Sequence, residues 1–197
     1  MKKQIKVTLI VIVAAIIAAA IIWYVMYLRG KEQDLLTPVG TRAEFIGDTD
    51  KYPTMLTAKG TQILNADGEQ VVLKGVMVPE SRSLYGEKKF NEDFYKDVFA
   101  KGGNAIRVPI SPVEYKNDDY YMWRYLDRIV TWAGENDNYV ILDWDYTGNP
   151  IDGSGDEMPD LDENPLDYSA EFWKNIADYF KNTPNVISVS YTHLTLP

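Results

Sequence analysis

The chain has 197 residues, with 20 Lys and Arg against 29 Asp and Glu, one His and no Cys. Its first 31 residues hold five basic groups and no acidic one, so the rest of the chain carries 15 basic against 29 acidic groups. This charge excludes a nucleic-acid partner, because affinity for a polyanion comes mainly from Lys and Arg that neutralise phosphates. The absence of cysteine excludes disulfide scaffolds, zinc fingers and thiol nucleophiles.

An apolar segment of 22 residues without a charge covers residues 7–28. As a helix it is about 33 Å long, enough to cross a hydrocarbon core of roughly 30 Å. A cleaved signal peptide is the alternative, but the run exceeds the roughly 7–15 residues of a signal core, and no A-x-A-like cleavage site follows. Trp23, Tyr24 and Tyr27 near its end are typical of the membrane–water interface. The sequence therefore predicts an uncleaved transmembrane helix over residues 7–28.

Basic residues indicate the orientation of this helix. Three precede it and two follow it: Lys2, Lys3, Lys6, Arg29 and Lys31. Because the more positive side is retained in the cytoplasm, residues 1–6 are expected there and the rest of the chain outside it. The predicted location is the cell membrane, crossed once, with the lipid bilayer as a partner. Residues 29–54, which contain Pro and Gly but no periodicity, are predicted to form an extracytoplasmic linker.

The predicted domain covers residues 55–188. A turn signal, Asn65–Gly68, separates the strand-like runs Thr61–Leu64 and Gln70–Val78, which predicts a hairpin leading into a buried strand. Helical and strand patterns then alternate: a helix from about Asn91 to Lys101, a strand Ala105–Ile110, a helix from about Asp118 to Glu135, a strand Tyr139–Asp145, a helix from about Ser169 to Lys181, and a strand that starts at Asn185–Ile187. This order predicts an α/β fold with a parallel sheet and right-handed crossovers.

Four parallel strands fit either an open doubly wound sheet or half of an eight-stranded barrel. The turn after the first strand, Pro79–Tyr85, lacks the glycine fingerprint of dinucleotide-binding folds, which favours a (β/α)8 TIM barrel. A barrel needs about 250 residues. Because 157 residues lie between Glu32 and Ser188, the chain is expected to be truncated after about four strands.

Arg107 is the first candidate functional residue. By strand alternation it shares a face with Ala105 and Pro109, opposite to Ile106 and Val108. An arginine that points into a barrel must meet a carboxylate or a ligand, since an unpaired buried guanidinium is very costly. The alternative is an arginine at a strand end that extends to solvent.

The next strand ends in a cluster of acidic and aromatic residues. Asp143 and Asp145 share one face and approach the C-terminal rim, where barrel enzymes have their active sites, which suggests a polar site. The alternative is that the two acids only solvate the strand end or cap the next segment. Trp144, Tyr146 and Tyr85 are predicted to bind substrate as flat platforms for sugar rings, although aromatic residues at such positions often fill the core instead.

Seven acidic residues lie between Asp152 and Asp167. Their spacing does not match the calcium loop of an EF-hand, so a solvated loop is the preferred interpretation, with weak cation binding as the alternative. No metal site and no cofactor are predicted.

Five segments together resemble glycoside hydrolase family 5, the cellulase family: Val72–Val76, Asn104–Pro109, Tyr139–Trp144, Phe172–Trp173 and Asn182–Ile187. The resemblance covers about residues 55–188. It implies a (β/α)8 barrel of retaining β-glycosidases that need no metal, acting on polysaccharides or oligosaccharides.

The resemblance also implies roles for individual residues. Arg107 matches the family arginine that hydrogen-bonds the nucleophile. The catalytic acid and the nucleophile are glutamates at the ends of the fourth and seventh strands, about 5–5.5 Å apart in a retaining enzyme, and both are absent from this chain. Asp145 stands where the family usually has histidine. A carboxylate there would raise the pKa values of neighbouring carboxyl groups, which is expected to weaken ionisation of the nucleophile.

The last nine residues, Val189–Pro197, alternate like a strand but also read as a translated transposase adapter from sequencing-library preparation. We exclude them from the fold as an artefact, and with them His193, the single histidine.

The resulting hypothesis is a fragment of a membrane-anchored, cellulase-like retaining glycosidase that hydrolyses O-glycosyl bonds in β-linked glycans. The fragment itself is expected to be inactive because both glutamates are absent. One alternative is a surface carbohydrate-binding protein that kept the barrel and lost catalysis. Another is a complete small membrane protein with an open four-stranded sheet, for which Val189–Pro197 must be authentic.

Overall fold

A computed structural model describes residues 2–34, 50–149 and 164–189. The chain divides into two compact units, residues 1–37 and 38–197. The first contains helix α1 (Lys2–Asp34), which extends beyond the predicted span at both ends. Among the described residues, the 19-residue stretch Val11–Arg29, with a mean hydropathy of 2.6, is the one long and apolar enough to cross a membrane. Because a signal sequence also meets this criterion, the stretch is a candidate span.

The second unit begins with a hairpin that differs from the predicted one. Strand β1 (Thr57–Lys59) pairs antiparallel with β2 (Gln62–Leu64), and Gly60 turns the chain between them with φ of 60°. The predicted turn at Asn65–Gly68 also forms, because the Asn65 side chain accepts hydrogen bonds from the backbone N–H groups of Asp67 and Glu69. An isolated antiparallel β-bridge between Leu64 and Gln70 flanks this turn, and the described residues form no longer ladder there.

The prediction of a buried strand from Gln70 to Val78 was wrong in length and burial. Strand β3 covers Gly75–Met77, and its residues are exposed. Before it, the Asn104 side chain replaces strand pairing by accepting from Lys74 N at 2.7 Å and donating to the Val72 carbonyl at 3.1 Å. One edge of β3 pairs with β4, and no other described strand pairs with its second edge.

The four-stranded sheet is parallel and follows chain order, β3–β4–β5–β6, where β4 is Ala105–Ile110, β5 is Tyr139–Trp144 and β6 is Val186–Val189. When each strand lies beside the next, right-handed crossovers place the connecting helices on one face. A doubly wound sheet instead reverses direction at its switch point. The observed order is therefore that of a barrel segment, as predicted.

Two of the predicted helices form with side-chain caps. Helix α3 (Glu92–Phe99) begins after Asn91, whose side chain accepts from Phe94 N, and the chain then turns at Gly102 with φ of 89°. Helix α6 (Pro165–Phe180) starts four residues before the predicted Ser169, because Asn164 caps its first turn. As a result Asp167, expected in the acidic loop, lies in the helix.

The remaining helices were predicted incompletely. The expected helix from Asp118 to Glu135 is a π-helical segment (Met122–Leu126) followed by α5 (Asp127–Gly134). Two short helices were missed, α2 (Ser81–Gly86) and α4 (Pro112–Lys116). Both have fewer than two turns, too short for helical periodicity to show in the sequence.

The core lies between the sheet and the helices. The side chains that β4 and β5 turn toward the helices are all buried: Ile106, Val108, Ile110, Val140, Leu142 and Trp144. Helices α5 and α6 contribute Ile129, Val130, Phe172 and Ile176 to the same layer. The opposite face of β4 and β5 carries Arg107 and Asp143.

Candidate active site

Arg107 and Asp143 form an ion pair on neighbouring strands. The register sets Arg107 beside Ile141 and Pro109 beside Asp143, so the two charged residues are diagonal neighbours on one face. Both Nε and Nη2 of Arg107 donate to Oδ2 of Asp143, at 3.0 and 2.7 Å. The Asp143 side chain is 1% exposed and that of Arg107 is 32% exposed. This contact agrees with the interpretation that Arg107 meets a carboxylate, and its proposed role in catalysis stays a prediction.

Asp145 lies directly after β5, at the C-terminal end of the strand. Its backbone N–H donates to the carbonyl of Ile110 at 3.0 Å, which extends the strand pairing by one residue. Its side chain is half-buried. The position is on the rim where function is expected, and the catalytic relevance of Asp145 stays a prediction.

Glu80 is a rim residue that the sequence analysis missed. It follows the end of β3, where Oε2 accepts from Ser83 N at 2.9 Å and caps α2, while Oε1 accepts from the Tyr121 hydroxyl at 2.6 Å. Burial raises the pKa of Tyr121 well above its ordinary value, and the Glu80 carboxylate adds to this shift. An acid directly before a helix is the sequence signal that would have identified the cap.

The predicted aromatic platforms occupy different environments. Trp144 is 1% exposed, its Nε1 donates to Ser169 Oγ at 2.8 Å, and its ring stacks on Phe172 at 4.0 Å. Tyr146 is equally buried. The prediction that these two rings are sugar platforms was wrong for this structure, because a ring enclosed by the core has no face for a ligand. Tyr85, 37% exposed, remains accessible.

A comparison with protein families decides the relationship. Residues 64–188 match the family described as cellulase, glycosyl hydrolase family 5. The chain belongs to glycoside hydrolase family 5. The family match agrees with the sequential parallel sheet.

Relatives of this family 5 chain include two endoglucanases. Endoglucanase C of Evansella cellulosilytica is 25% identical over 186 residues, which are 81% of this chain and 22% of that protein. Endoglucanase A of Butyrivibrio fibrisolvens is 28% identical over 153 residues, 70% of this chain and 31% of that protein. The chain therefore spans less than a third of the length of these relatives.

A solved β-glucanase from Saccharophagus degradans has a similar fold. It superposes with a TM-score of 0.63 at 25% identity, covering 71% of this chain and 42% of the β-glucanase. The same β-glucanase has been solved in complex with cellotetraose. These values support the barrel-type fold for the family 5 domain.

The acidic residues of the described family 5 domain form no metal-binding cluster. Within residues 50–149 and 164–189, no group of three or more His, Cys, Asp or Glu side chains is arranged to hold a metal ion. Most of the acidic loop, from Asp152 on, lies outside the described residues, as do His193 and the tail after Val189. Val189 itself, which was expected to lie outside the fold, is the last residue of β6 and pairs with Asp143. The last glutamate of the sequence is Glu171, on α6.

Proposed function

We propose that this chain is part of a membrane-anchored, outward-facing retaining glycosidase that hydrolyses O-glycosyl bonds in β-linked polysaccharides or oligosaccharides. The observation that carries this proposal is the ion pair between Arg107 and Asp143, on neighbouring strands of a family 5 domain. The pair lies on the face opposite the helices, which is the interior face of a barrel.

Arg107 supplies the positive charge that the reaction needs. A guanidinium beside a carboxylate favours the ionised form, which is the form that attacks the anomeric carbon in a retaining mechanism. Two Arg107 N–H groups are held by Asp143, and this contact orients the planar guanidinium. In the proposed enzyme, Arg107 bonds a nucleophilic glutamate from a later strand, and a second glutamate protonates the leaving oxygen. This chain alone contains neither and is proposed to be inactive.

The substrate class follows from relatives and from charge. The related proteins are endoglucanases and a β-glucanase that binds cellotetraose. Beyond residue 31 this chain carries 29 acidic against 15 basic groups, which disfavours polyanionic glycans by repulsion. We therefore propose a neutral β-linked glucan.

Asp145 favours a second candidate function, a surface carbohydrate-binding protein without catalysis. An extra carboxylate on the rim raises the cost of ionising a nucleophile nearby. The two candidates differ in whether the parent reading frame encodes glutamates at the ends of the fourth and seventh strands.

Sequencing and hydrolysis test the proposal. Long-read sequencing of the source DNA across the codon of Ile187, without a transposase step, is expected to show a frame that continues into an Asn-Glu-Pro motif. The protein from that frame should release reducing sugar from soluble β-glucan with retained anomeric configuration, observed by NMR. Inverted product, or no hydrolysis despite both glutamates, contradicts the proposal. The 197-residue chain should release none.

Membrane attachment requires its own experiment. We propose that residues 7–28 stay in the mature protein and hold the domain outside the cell. The protein should remain with membranes after alkaline carbonate extraction and should be digested by protease added to intact cells. A mature N-terminus located after residue 28 identifies a signal sequence instead and overturns the anchor.

A further inference from the structure

A cavity lies on the helix side of the sheet, away from Arg107 and Asp143. This outer groove, about 670 Å³ in volume, runs between α6 and the segment that includes α4 and the π-helical turn. Tyr115 of α4 lines it and contacts Trp144 and Phe172 of the helix-facing core. The volume is within the roughly 300–1,000 Å³ of small-molecule sites. The groove is therefore large enough for a ligand and separate from the candidate active site.

Aromatic rings form both walls of the outer groove. Trp123 lies on one wall and Tyr179 on the other, and both are partly exposed. Between them the Asn175 amide lies beside the Tyr115 hydroxyl. Large rings with one face toward solvent provide apolar contact area at low entropic cost, as the C–H faces of a pyranose require.

The polar groups of the groove divide into structural and available ones. Asp118 is structural, because Oδ2 pairs with Arg124 at 2.7 Å and Oδ1 accepts from Tyr120 N at 3.0 Å. Asp119 and Asp178 are exposed, one on each wall, and their side chains make no ion pair or hydrogen bond with another described residue. These two carboxylates are available to a ligand.

The lining also includes a neutral donor, which decides between ligand classes. Asn175 contributes an amide that both donates and accepts. An organic cation would use the rings and the carboxylates but has no lone pair to accept from the amide N–H groups. A neutral polyhydroxylated ligand uses acceptors, donors and rings together.

We propose that the outer groove is a second glycan-binding site, which holds a neutral β-linked oligosaccharide away from the catalytic rim. The choice of a β-linked glycan rests on the proposed function. A polymer held here stays close to the domain while another part of it is cleaved. The site therefore raises the local concentration of insoluble or long substrate without taking part in bond cleavage.

Binding of cellotetraose to the complete chain tests this proposal. The chain is purified in a polyoxyethylene detergent, which has neither a sugar nor a charged headgroup, and the indole N–H resonances of its tryptophans are followed by NMR during titration. The Trp123 resonance should shift and that of buried Trp144 should not. Trp123→Ala should weaken binding about tenfold. The double variant Asp119→Asn with Asp178→Asn removes no apolar area and should weaken it severalfold. Val72→Ala, which also truncates an exposed apolar side chain but lies outside the groove, is the control and should bind like the parent.

Each outcome decides between the groove and other sites. No binding by the parent chain, or unchanged binding in both groove variants, overturns the proposal. Binding lost in Tyr85→Ala but kept in Trp123→Ala places the ligand at the rim and also overturns it. Tighter binding of spermidine than of cellotetraose identifies a cation site instead. In the protein from the continued frame, Trp123→Ala should leave hydrolysis of a short chromogenic cellobioside unchanged. Failure of hydrolysis in the parent protein therefore counts against the proposed function and not against the groove.

Discussion

The two faces of strands β4 and β5 are stabilised in different ways. On the helix-facing side, Trp144 stacks on Phe172 at 4.0 Å within a mainly apolar layer. On the other side, Arg107 and Asp143 pair through two hydrogen bonds of 3.0 and 2.7 Å to one oxygen. The stability of the first face depends on close packing of apolar side chains. The stability of the second face depends on the pairing of opposite charges. Substitutions should therefore damage the two faces by different mechanisms and by different amounts.

The largest effect is expected on the helix-facing side. Trp144→Ala removes a fully buried indole, so the free energy of unfolding should fall by about 3–5 kcal/mol through lost contacts and the cavity left behind. Urea unfolding of the purified chain, followed by circular dichroism, measures the change. Tyr85→Ala, a half-exposed ring, is the control and should cost less than about 1 kcal/mol. A loss below that value for Trp144→Ala would show that the ring is not a core residue.

On the polar face, removing one member of the ion pair should lower the unfolding free energy more than replacing both members. Asp143→Ala removes the carboxylate that accepts two Arg107 N–H groups. Breaking a fully buried pair costs about 3–5 kcal/mol. Since Arg107 is 32% exposed, water replaces part of the interaction, and about 1–3 kcal/mol is expected here.

A double variant checks that charge is the cause. Replacing both members by apolar residues, Arg107→Met with Asp143→Leu, should recover most of the loss in unfolding free energy, because neither charge of the pair is left without the other. If the double variant is less stable than Asp143→Ala, the pair contributes through its hydrogen bonds rather than through charge compensation alone.

Buried phenols on the helix side make the fold sensitive to alkaline pH. Burial raises the pKa of Tyr95, and burial together with Glu80 raises that of Tyr121. As pH rises above about 10, these phenols ionise in the unfolded chain before they do so in the fold. Their contribution to stability is complete below pH 10 and declines above it, by up to about 1.4 kcal/mol per pH unit for each group. Tyr95→Phe should reduce this slope in urea unfolding between pH 9 and 11, and an unchanged slope contradicts the assignment.

Much of the fold was predictable because its signals are local. Period-two alternation around Arg107 and Asp143 set their common face, and Asn91 marked the start of α3. The features that were not predicted depend on tertiary contacts, which the sequence does not show. Asn104 ends the pairing expected before β3, and the π-helical segment interrupts a helix whose apolar spacing looked continuous.

The candidate site was predicted in part for the same reason. A charged residue within an apolar strand is visible in the sequence, and so is its need for a partner. The prediction of an aromatic platform at Trp144 was wrong because an aromatic residue at a strand end can lie either in the core or at the rim. The sequence around Trp144 is compatible with both. Only the packing of Phe172 and the hydrogen bond to Ser169 distinguish core from rim.

The smallest effect is expected at a second arginine–carboxylate pair, between Arg82 and Glu114, whose atoms are 2.8 Å apart. This distance almost equals the 2.7 Å between Arg107 and Asp143, but the side chains are 49% and 35% exposed, against 32% and 1%. Solvent and salt screen the exposed pair, so Arg82→Ala should change the unfolding free energy by less than about 1 kcal/mol, and by still less in 1 M salt. If Arg82→Ala and Asp143→Ala lower the unfolding free energy by the same amount, contact distance rather than burial governs the strength of both pairs. Burial would then not explain why the pair of Arg107 and Asp143 stabilises the polar face.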